Sequence, residues 1–310
     1  MHATSRTVVR PVLLMLAMFV TTAAVQSGTA RADVELRWKF KAGETVRFTT
    51  STEVLQDMEI GGQQIASKMT QMMDMTWKVK EAGEDESTLD VTIDHVHVEM
   101  TPPGPAAKAI VYDSKNEKHE GQAAMMAPLF GAMINQPMTL TVTPLGEVKN
   151  IKLPEGMIAA MQKAGPGAKE VLSEDAMKQT ISRVMIAFPE SLAAGKSWES
   201  NFETKNPILG TQKALTTYTY VGPEEAEGRS VEKLDVNVQL SFDQPADAQA
   251  KATIKEQASE GAILFDNKQG MPLSTSMNSQ LKLELSAGGQ MIDQAITTKV
   301  MMKQIPAATK

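Results

Sequence analysis

Cysteine is absent from the 310-residue sequence, and aromatic residues make up only 5% of it. Without a thiol, the chain can form no disulfide, no thiolate metal site and no cysteine nucleophile. It also lacks a Gly-x-Ser-x-Gly elbow, a His-Glu-x-x-His motif, a phosphate-binding glycine loop and a dinucleotide fingerprint. Only three histidines follow the N-terminal segment, at positions 95, 97 and 119. We therefore expect a protein that is not an enzyme and carries no cofactor.

Basic stripes are also missing. The sequence holds 31 Lys and Arg against 37 Asp and Glu, with the lysines scattered among the acids. Nucleic-acid binding normally requires a clustered basic surface, so we expect no nucleic-acid partner. With 42% hydrophobic residues, the chain has the composition of a globular protein of one or two domains.

The N-terminus has the pattern of a secretory signal peptide. Arg6 and Arg10 precede the apolar run 11–25, and Ala30-Arg31-Ala32 follows as a cleavage site. An uncleaved anchor would need about 20 apolar residues, and no later run reaches that length. We predict that residues 1–32 are removed, and that the mature chain is exported to the periplasm or beyond without stable membrane insertion. Its net charge would be −9, because residues 1–32 hold three arginines and no acid.

Most of the remaining chain alternates apolar and polar residues, the period of a β-strand. The segment Glu35–Lys41 opens this pattern, and a helical spacing interrupts it between Ser173 and Pro189 and, more weakly, around 155–163. We predict a mainly β fold with two pseudo-repeated antiparallel curved sheets, half-barrel or sandwich-like, and one or two amphipathic helices between or covering them. The predicted domains are a first β module at 33–152, a helical connector at 153–190 and a second β module at 191–310.

The two strand groups resemble each other at several landmarks. Gly43-Glu44 and Gly195-Lys196 open them, and Tyr112-Asp113-Ser114-Lys115 and Phe265-Asp266-Asn267-Lys268 lie near their ends. Leu89-Asp90-Val91 and Leu234-Asp235-Val236 correspond between these points. Chance similarity of amphipathic strands is the alternative. The spacing favours an internal repeat with two equivalent sheets.

Further landmarks resemble a known family. The opening 36–44, the strand and turn 140–148 with Gly146, and Phe188-Pro189-Glu190 followed by 194–198 are similar to the DUF6263 family of secreted bacterial proteins. The resemblance implies a β-rich envelope protein and transfers no functional residue. In arrangement alone, the chain is more distantly similar to the half-barrel lipid carriers of the bacterial envelope.

Methionine is unusually frequent, with 22 in the chain. Met69, Met73, Met75 and Trp77 share one face of a predicted strand, and an apolar stretch contains Met125, Met126 and Met133. Flexible thioethers suit irregular apolar ligands, so these seven residues are the candidate wall of a lipid site. A methionine-filled core is the simpler interpretation, and copper binding or sacrificial oxidation are others.

A second candidate site is a strand bearing ligand-type residues. His95, His97 and Glu99 alternate, so a regular strand places them on one face, where they could bind Zn²⁺ or Cu²⁺. In a regular strand that face is also the one of Leu89 and Val91. The alternative is a β-bulge near Asp94, which turns Val96, Val98 and Met100 inward and the histidines outward.

Three functions remain open from the sequence. The first is a non-enzymatic protein that binds a hydrophobic small molecule, such as an acyl chain, in a methionine-lined β cavity. The second is a structural or interaction module whose partner is another envelope protein. The third is a metal-binding protein that uses His95, His97 and Glu99.

Overall fold

Alternating apolar residues form long antiparallel strands, as the computed structural model shows. The model describes residues 33–102, 104, 108–163, 177–178, 181–182, 184–206, 210–245, 248, 250–287 and 290–306. The predicted signal peptide and the predicted helix start at Ser173 lie outside this part. The described residues belong to one compact unit. In chain order, the described strands are β1 Thr45–Ile60, β2 Gln63–Ala82, β3 Ser87–Thr101, β4 Ile110–Asp113, β5 Met138–Val142, β6 Val148–Lys152, β7 Ser197–Asn206, β8 Gly210–Ala226, β9 Arg229–Asp243, β10 Ala250–Asp266, β11 Met271–Ala287 and β12 Gln290–Ile305.

All twelve described strands belong to one open sheet, in the order β6-β5-β3-β2-β1-β12-β11-β10-β9-β8-β7, with β4 paired to β3. The mainly β prediction is confirmed, and the two predicted sheets are halves of a single one. They join where β1 pairs antiparallel with β12, from Arg47 opposite Ile305 to Ile60 opposite Ile292. This pairing satisfies two long strand edges that would otherwise be exposed.

The two halves run in the same order. Each proceeds from its first strand at one side to its last strand at the other, β1 to β6 and β7 to β12. The opening glycines make equivalent contacts, because the Gly43 N–H donates to the Val79 carbonyl and the Gly195 N–H donates to that of Tyr220. Leu89 and Leu234 are both fully buried. The equivalent order of strands in the two halves agrees with the predicted repeat. That the repeat arose by duplication stays a prediction.

Two helices of the described chain interrupt the strands. α1 spans Gly121–Gly131, a helix that the sequence pattern did not indicate, and α2 spans Glu155–Lys163 as predicted. Residues 177–178, 181–182 and 184 are also helical, inside the predicted 173–189 segment. The main core is the large buried cluster that contains Trp38, Phe48 and Phe265. Met177 and Ile181 pack against it, whereas Val184, predicted on the same face, is exposed.

The segment Glu35–Lys41 is not a strand, which corrects the prediction. It packs Leu36 and Trp38 into the core and makes isolated backbone hydrogen bonds, including one from the Trp38 N–H to the Pro144 carbonyl at 2.8 Å. Its alternation arises because Leu36 and Trp38 are buried against the main core. A strand-like pattern can thus mark a single extended segment without a ladder of partners.

The residues that carried the family resemblance meet around Trp38. Its indole Nε1 donates to the Ile186 carbonyl at 2.9 Å, and its ring lies 6.4 Å from that of Phe188. Gly146 has a φ of +89° and lies so close to Ile186 that an added Cβ would collide with the Ile186 carbonyl oxygen. Arg37 pairs with Glu190 at 2.9 Å. These landmarks therefore hold together parts of the chain about 150 residues apart.

Candidate functional site

A large cavity opens on the face of the sheet opposite the main core. Its volume is about 1010 Å³, and residues from β1, β2, β3, β8, β9, β10, β11 and β12 line it. The face follows from alternation: Met72 and His97 line the cavity, while their neighbours Met73 and Val98 pack into the core side. Strands from both halves of the sheet therefore curve around one concave space.

The floor of this cavity is a row of cross-strand neighbours. Met72 pairs with Ser51, Ser51 with Met301, and Met301 with Ser276. The row continues from Ser276 to Ala262 on β10. Met72 and Met301 are 41% and 44% exposed. The floor thus presents flexible thioethers between small side chains, without a bulky residue filling the space.

Charged groups surround this floor. Glu53 and Lys299 both line the cavity, with their charged atoms 3.9 Å apart, and Lys68 approaches Glu53 at 3.1 Å. Asp235 lies on the β9 side and His97 on the β3 side. The cavity therefore combines an apolar floor with polar and ionic groups at its margin, an arrangement suited to an amphiphilic molecule.

The seven residues predicted to form a lipid wall do not line this cavity. Met69, Met73 and Met75 lie on the opposite face of β2, because the side chains of a strand alternate. Trp77 is 3% exposed within the main core. The cavity's methionines on β2 and β12 are Met72 and Met301, which the sequence analysis did not single out. Their signal was available: each is an apolar residue out of phase with its strand's buried positions.

Five of the predicted methionines and their neighbours form a second apolar cluster beneath α1. Met69, Met73 and Met75 from β2 meet Met126 and Met133 around the buried residues Ile93, Val96, Val98, Tyr112 and Ala123. Tyr112 stacks on Phe130 with ring centroids 4.9 Å apart. Met125 is instead 80% exposed. Any role of these residues in ligand binding stays a prediction; the geometry is that of a packed cluster.

The alternative of a β-bulge near Asp94 is confirmed. Met75 of β2 pairs with Ile93 of β3, and the adjacent residue Asp74 pairs with His95. Asp94 therefore has no strand-pairing partner on β2 and is the extra residue of a bulge. The bulge reverses the alternation, and Val96 and Val98 are buried on the core side. The histidines leave the opposite face as that alternative required, yet only His97 is partly open. His95 is 5% exposed.

Two carboxylates enclose His95. Its Nδ1 lies 3.3 Å from Asp74 Oδ2, and its Nε2 lies 2.9 Å from Asp113 Oδ1. Asp113 also contacts His97 Nδ1 through Oδ2 at 3.3 Å. A neutral imidazole can donate through one nitrogen only, whereas an imidazolium donates to both carboxylates. The arrangement is a chain of four side chains that fastens β2, β3 and β4 together.

Asp113 is held in its charged form. The Lys115 backbone N–H, and then the side chains of His95 and His97, lower the pKa of its carboxyl group from 3.8 to about 2, against an opposing effect of burial. Burial first, and the negative charge of Asp113 second, raise the pKa of the neighbouring Tyr112. The neighbours of Asp113 therefore stabilise its anionic form.

The predicted metal set is not assembled as a metal site. Glu99 is exposed on β3, and both ring nitrogens of His95 already face carboxylates. Among the described residues, no group of three or more His, Asp or Glu side chains has the geometry to hold a metal ion. The metal hypothesis thus gains no support from this geometry.

The fold and the cavity together define a protein with an open antiparallel sheet and a concave face. A family model described as a family of unknown function, DUF6263, matches residues 84–288, and the chain belongs to this family. The resemblance inferred from the short motifs is thereby confirmed. None of the curated proteins compared with the chain matches it.

Several solved structures are similar in outline. A structure of lipid–protein interactions in lipovitellin has a TM-score of 0.48 and 13% identity, covering 88% of this chain and 26% of that one. An outer membrane channel from Pseudomonas putida F1 has a TM-score of 0.24 and 7% identity, covering 86% and 97%. An outer membrane lipoprotein-sorting protein domain from Vibrio parahaemolyticus has a TM-score of 0.13 and 11% identity, covering 81% and 83%.

These likenesses carry no argument about function, because each TM-score is below 0.5. The chain spans about a quarter of the lipovitellin chain that it matches. Within the described residues, no helix has the length and apolar character needed to cross a membrane.

Proposed function

We propose that the protein is an exported, non-catalytic binding protein whose concave face takes an elongated amphiphilic ligand, such as an acyl chain or a lipid. The observation that carries this proposal is the cavity of about 1010 Å³ shared by eight strands. Small-molecule sites are typically about 300–1,000 Å³, so the space is large enough for a lipid-sized ligand.

The chemistry of the lining supports an amphiphile over a purely polar ligand. Met72, Met301 and Ala262 offer an apolar floor along the row of cross-strand neighbours. Thioether side chains adapt their rotamers to an irregular chain. Glu53, Lys299 and His97 at the margin provide partners for a polar head group. The ligand would lie across the strands, with its tail on the methionines.

Export and the absence of catalysis are supported by the sequence. Residues 1–32 have the signal-peptide pattern, and the sequence lacks the Gly-x-Ser-x-Gly and His-Glu-x-x-His motifs. A binding role requires only the cavity and its lining.

A charge-insertion experiment tests the proposal. Met301→Lys places an ammonium group on the floor of the cavity, where an acyl chain would have to desolvate it. Met291→Lys is the matched control: Met291 is on the same strand, is 52% exposed and does not line the cavity. With a dansyl-labelled fatty acid as probe, we expect at least tenfold weaker binding for Met301→Lys and unchanged binding for the control.

Native mass spectrometry can detect a natural lipid that the chain retains when it is purified without detergent. Solvent extraction of the same sample then identifies that lipid. Equal binding by both lysine variants, or no saturable binding by the unmodified protein, would overturn the proposal. Met72→Lys, on the opposite side of Ser51, serves as a second cavity variant should Met301→Lys not fold.

A further inference from the structure

A seam opens in the second half of the sheet, between β9 and β10. These strands pair antiparallel only where Glu232–Val236 faces Gly261–Phe265. β9 continues to Asp243 and β10 begins at Ala250, so long stretches of both strands lie beyond the pairing. A gap of about 500 Å³, lined by residues 240–242 and 252–257, separates them. The seam is thus an interruption of the ladder within the sheet, away from its outer edges.

On the side of β9 that faces the seam, the side chain of Gln257 takes the place of a neighbouring strand. The amide oxygen of Gln257 accepts the Leu240 N–H at 2.8 Å, and its amide nitrogen donates to the Leu240 carbonyl at 3.2 Å. In an antiparallel ladder, a hydrogen-bonded residue exchanges this same pair of bonds with one residue of the neighbouring strand. The Gln257 side chain therefore imitates one peptide unit of a strand.

The β10 wall shows the same substitution. Gln244 accepts the Ala252 N–H at 3.2 Å and donates to the Ala252 carbonyl at 2.8 Å. Towards the paired end, the Ser259 hydroxyl accepts the Val238 N–H at 3.2 Å. Main-chain groups on both walls are thus satisfied by side chains and not by a neighbouring strand.

The first half of the sheet fills the corresponding position. β3 pairs with β5 over Ser87–Val91 and with β4 over His97–Met100, so it has a neighbour at both of its ends. Counting from the matched Leu-Asp-Val segments and allowing for the bulge at Asp94, Val96 and Val98 of β3 correspond to Leu240 and Phe242 of β9. β4 therefore occupies on β3 the place that is open on β9.

We propose that the seam binds an extended peptide segment of a partner polypeptide, which pairs antiparallel with β9 and displaces the Gln257 side chain. This goes beyond the proposed ligand function and uses a different part of the sheet. Main-chain donors and acceptors at strand spacing select a peptide backbone, the mode known as β-augmentation.

The walls also indicate the character of this peptide. Leu240 and Phe242, at alternate positions of β9, and Ile254 of β10 are half-buried, which favours apolar residues at alternate positions of the partner. The charges nearby are already paired within the chain: Lys213 with Asp243 at 3.3 Å, Lys255 with Glu284 at 2.9 Å, and Lys282 with Glu256 at 2.7 Å. The preferred segment is therefore apolar and uncharged in its centre.

A peptide taken from this chain is a suitable probe. A synthetic peptide of residues 108–115 contains β4, the strand that fills the equivalent position on β3. The control peptide carries proline in place of Val111 and Tyr112. Successive N–H groups of a strand point to opposite sides, so one of the two prolines removes a donor that would face β9. We expect saturable binding of the native peptide and at least tenfold weaker binding of the proline peptide.

Binding should be located as well as measured. With the native peptide bound, we expect the Leu240 amide to shift in its NMR signal and to gain protection from hydrogen exchange. Gln257→Ala removes the side chain that competes with the peptide, so the affinity of this variant for the native peptide should be several-fold higher than that of the unmodified protein. Gln239→Ala is the matched control on an exposed neighbouring position of β9 and should bind as the unmodified protein does.

Three outcomes would overturn the proposal: no saturable binding by the unmodified protein and Gln257→Ala, equal binding of the two peptides, or binding that leaves the Leu240 amide unchanged. Should Gln257→Ala fail to fold by circular dichroism, the two peptides on the unmodified protein still decide. Met301→Lys is expected to bind the peptide normally, which separates failure of this site from failure of the lipid cavity.

Discussion

At the scale of single residues, the molecule depends on a few side chains that join distant segments. Asp113 contacts two histidines of β3, and Trp38 joins the N-terminal segment to the stretch before β7. Both roles are structural, although His97, which Asp113 contacts, also lines the cavity. Substitutions at these positions should therefore change stability first, and the expected changes can be measured independently of any ligand.

Asp113→Asn should lower the free energy of unfolding by about 1–3 kcal/mol at neutral pH, because the charge-assisted bonds to His95 and His97 are weakened. The folded-state pKa of about 2 lies below the ordinary 3.8. The contribution of the carboxylate is therefore present above pH 3.8 and is lost as the pH falls through 2. Denaturant unfolding measured across this pH range should show that the difference in unfolding free energy between Asp113→Asn and the unmodified protein becomes smaller as the pH falls. A difference in unfolding free energy that stays constant over this pH range would contradict the lowered pKa of Asp113.

Gly146→Ala should destabilise the protein by at least about 1 kcal/mol, since φ is positive and the new Cβ would collide with the Ile186 carbonyl. Gly195 also has positive φ but has open space around its Cβ position, so Gly195→Ala separates conformational strain from collision. Urea unfolding of both variants measures the two costs. Equal losses would show that the close approach of Gly146 to Ile186 has no energetic weight.

At the scale of elements, α1 contributes through the cluster it covers. Met126 and Met125 are adjacent on this helix, but Met126 packs into the second cluster and Met125 is 80% exposed. Met126→Ala should cost about 1–3 kcal/mol, because it removes buried methylene groups, whereas Met125→Ala should stay within about 0.5 kcal/mol. Thermal unfolding of the two variants makes the comparison. Similar losses would mean that α1 does not dock as the structure shows.

The elements also show how far sequence patterns reach. Period-two alternation predicted most strands within a few residues, including β3 and the β5–β6 turn. The same alternation predicts separate strands at 249–256 and 263–266, whereas the two segments belong to the single strand β10, in which Gly261 and a register shift near Lys255 interrupt the pattern. α1 was missed, since its apolar residues surround the helix and Pro128 lies inside it. The cost of burying imidazoles without partners favours a bulge at Asp94 over a regular strand, although the alternation itself is compatible with both.

At the scale of the whole molecule, the β1–β12 pairing makes the two halves one cooperative structure. Fourteen residue pairs join these strands without interruption, and Phe265 of the second half contacts Trp38 in the shared core. We expect a single thermal transition with equal calorimetric and van't Hoff enthalpies. Two separable transitions assigned by hydrogen exchange to residues 33–152 and 191–306 would contradict this expectation.

The sequence by itself determined the mainly β class, the approximate extent of most strands, α2 and the family. Each of these follows from local alternation, turn residues or short motifs, which one segment of chain carries alone. The tertiary structure decided the rest. Pairing of β1 with β12 made one sheet of two, and the direction of curvature made a cavity on the face of Met72 and Met301 instead of the face of Met69 and Met73. It also set Asp74 and Asp113 around His95 and left the seam beside β9, because such contacts depend on which strands become neighbours, and no single strand encodes its neighbours.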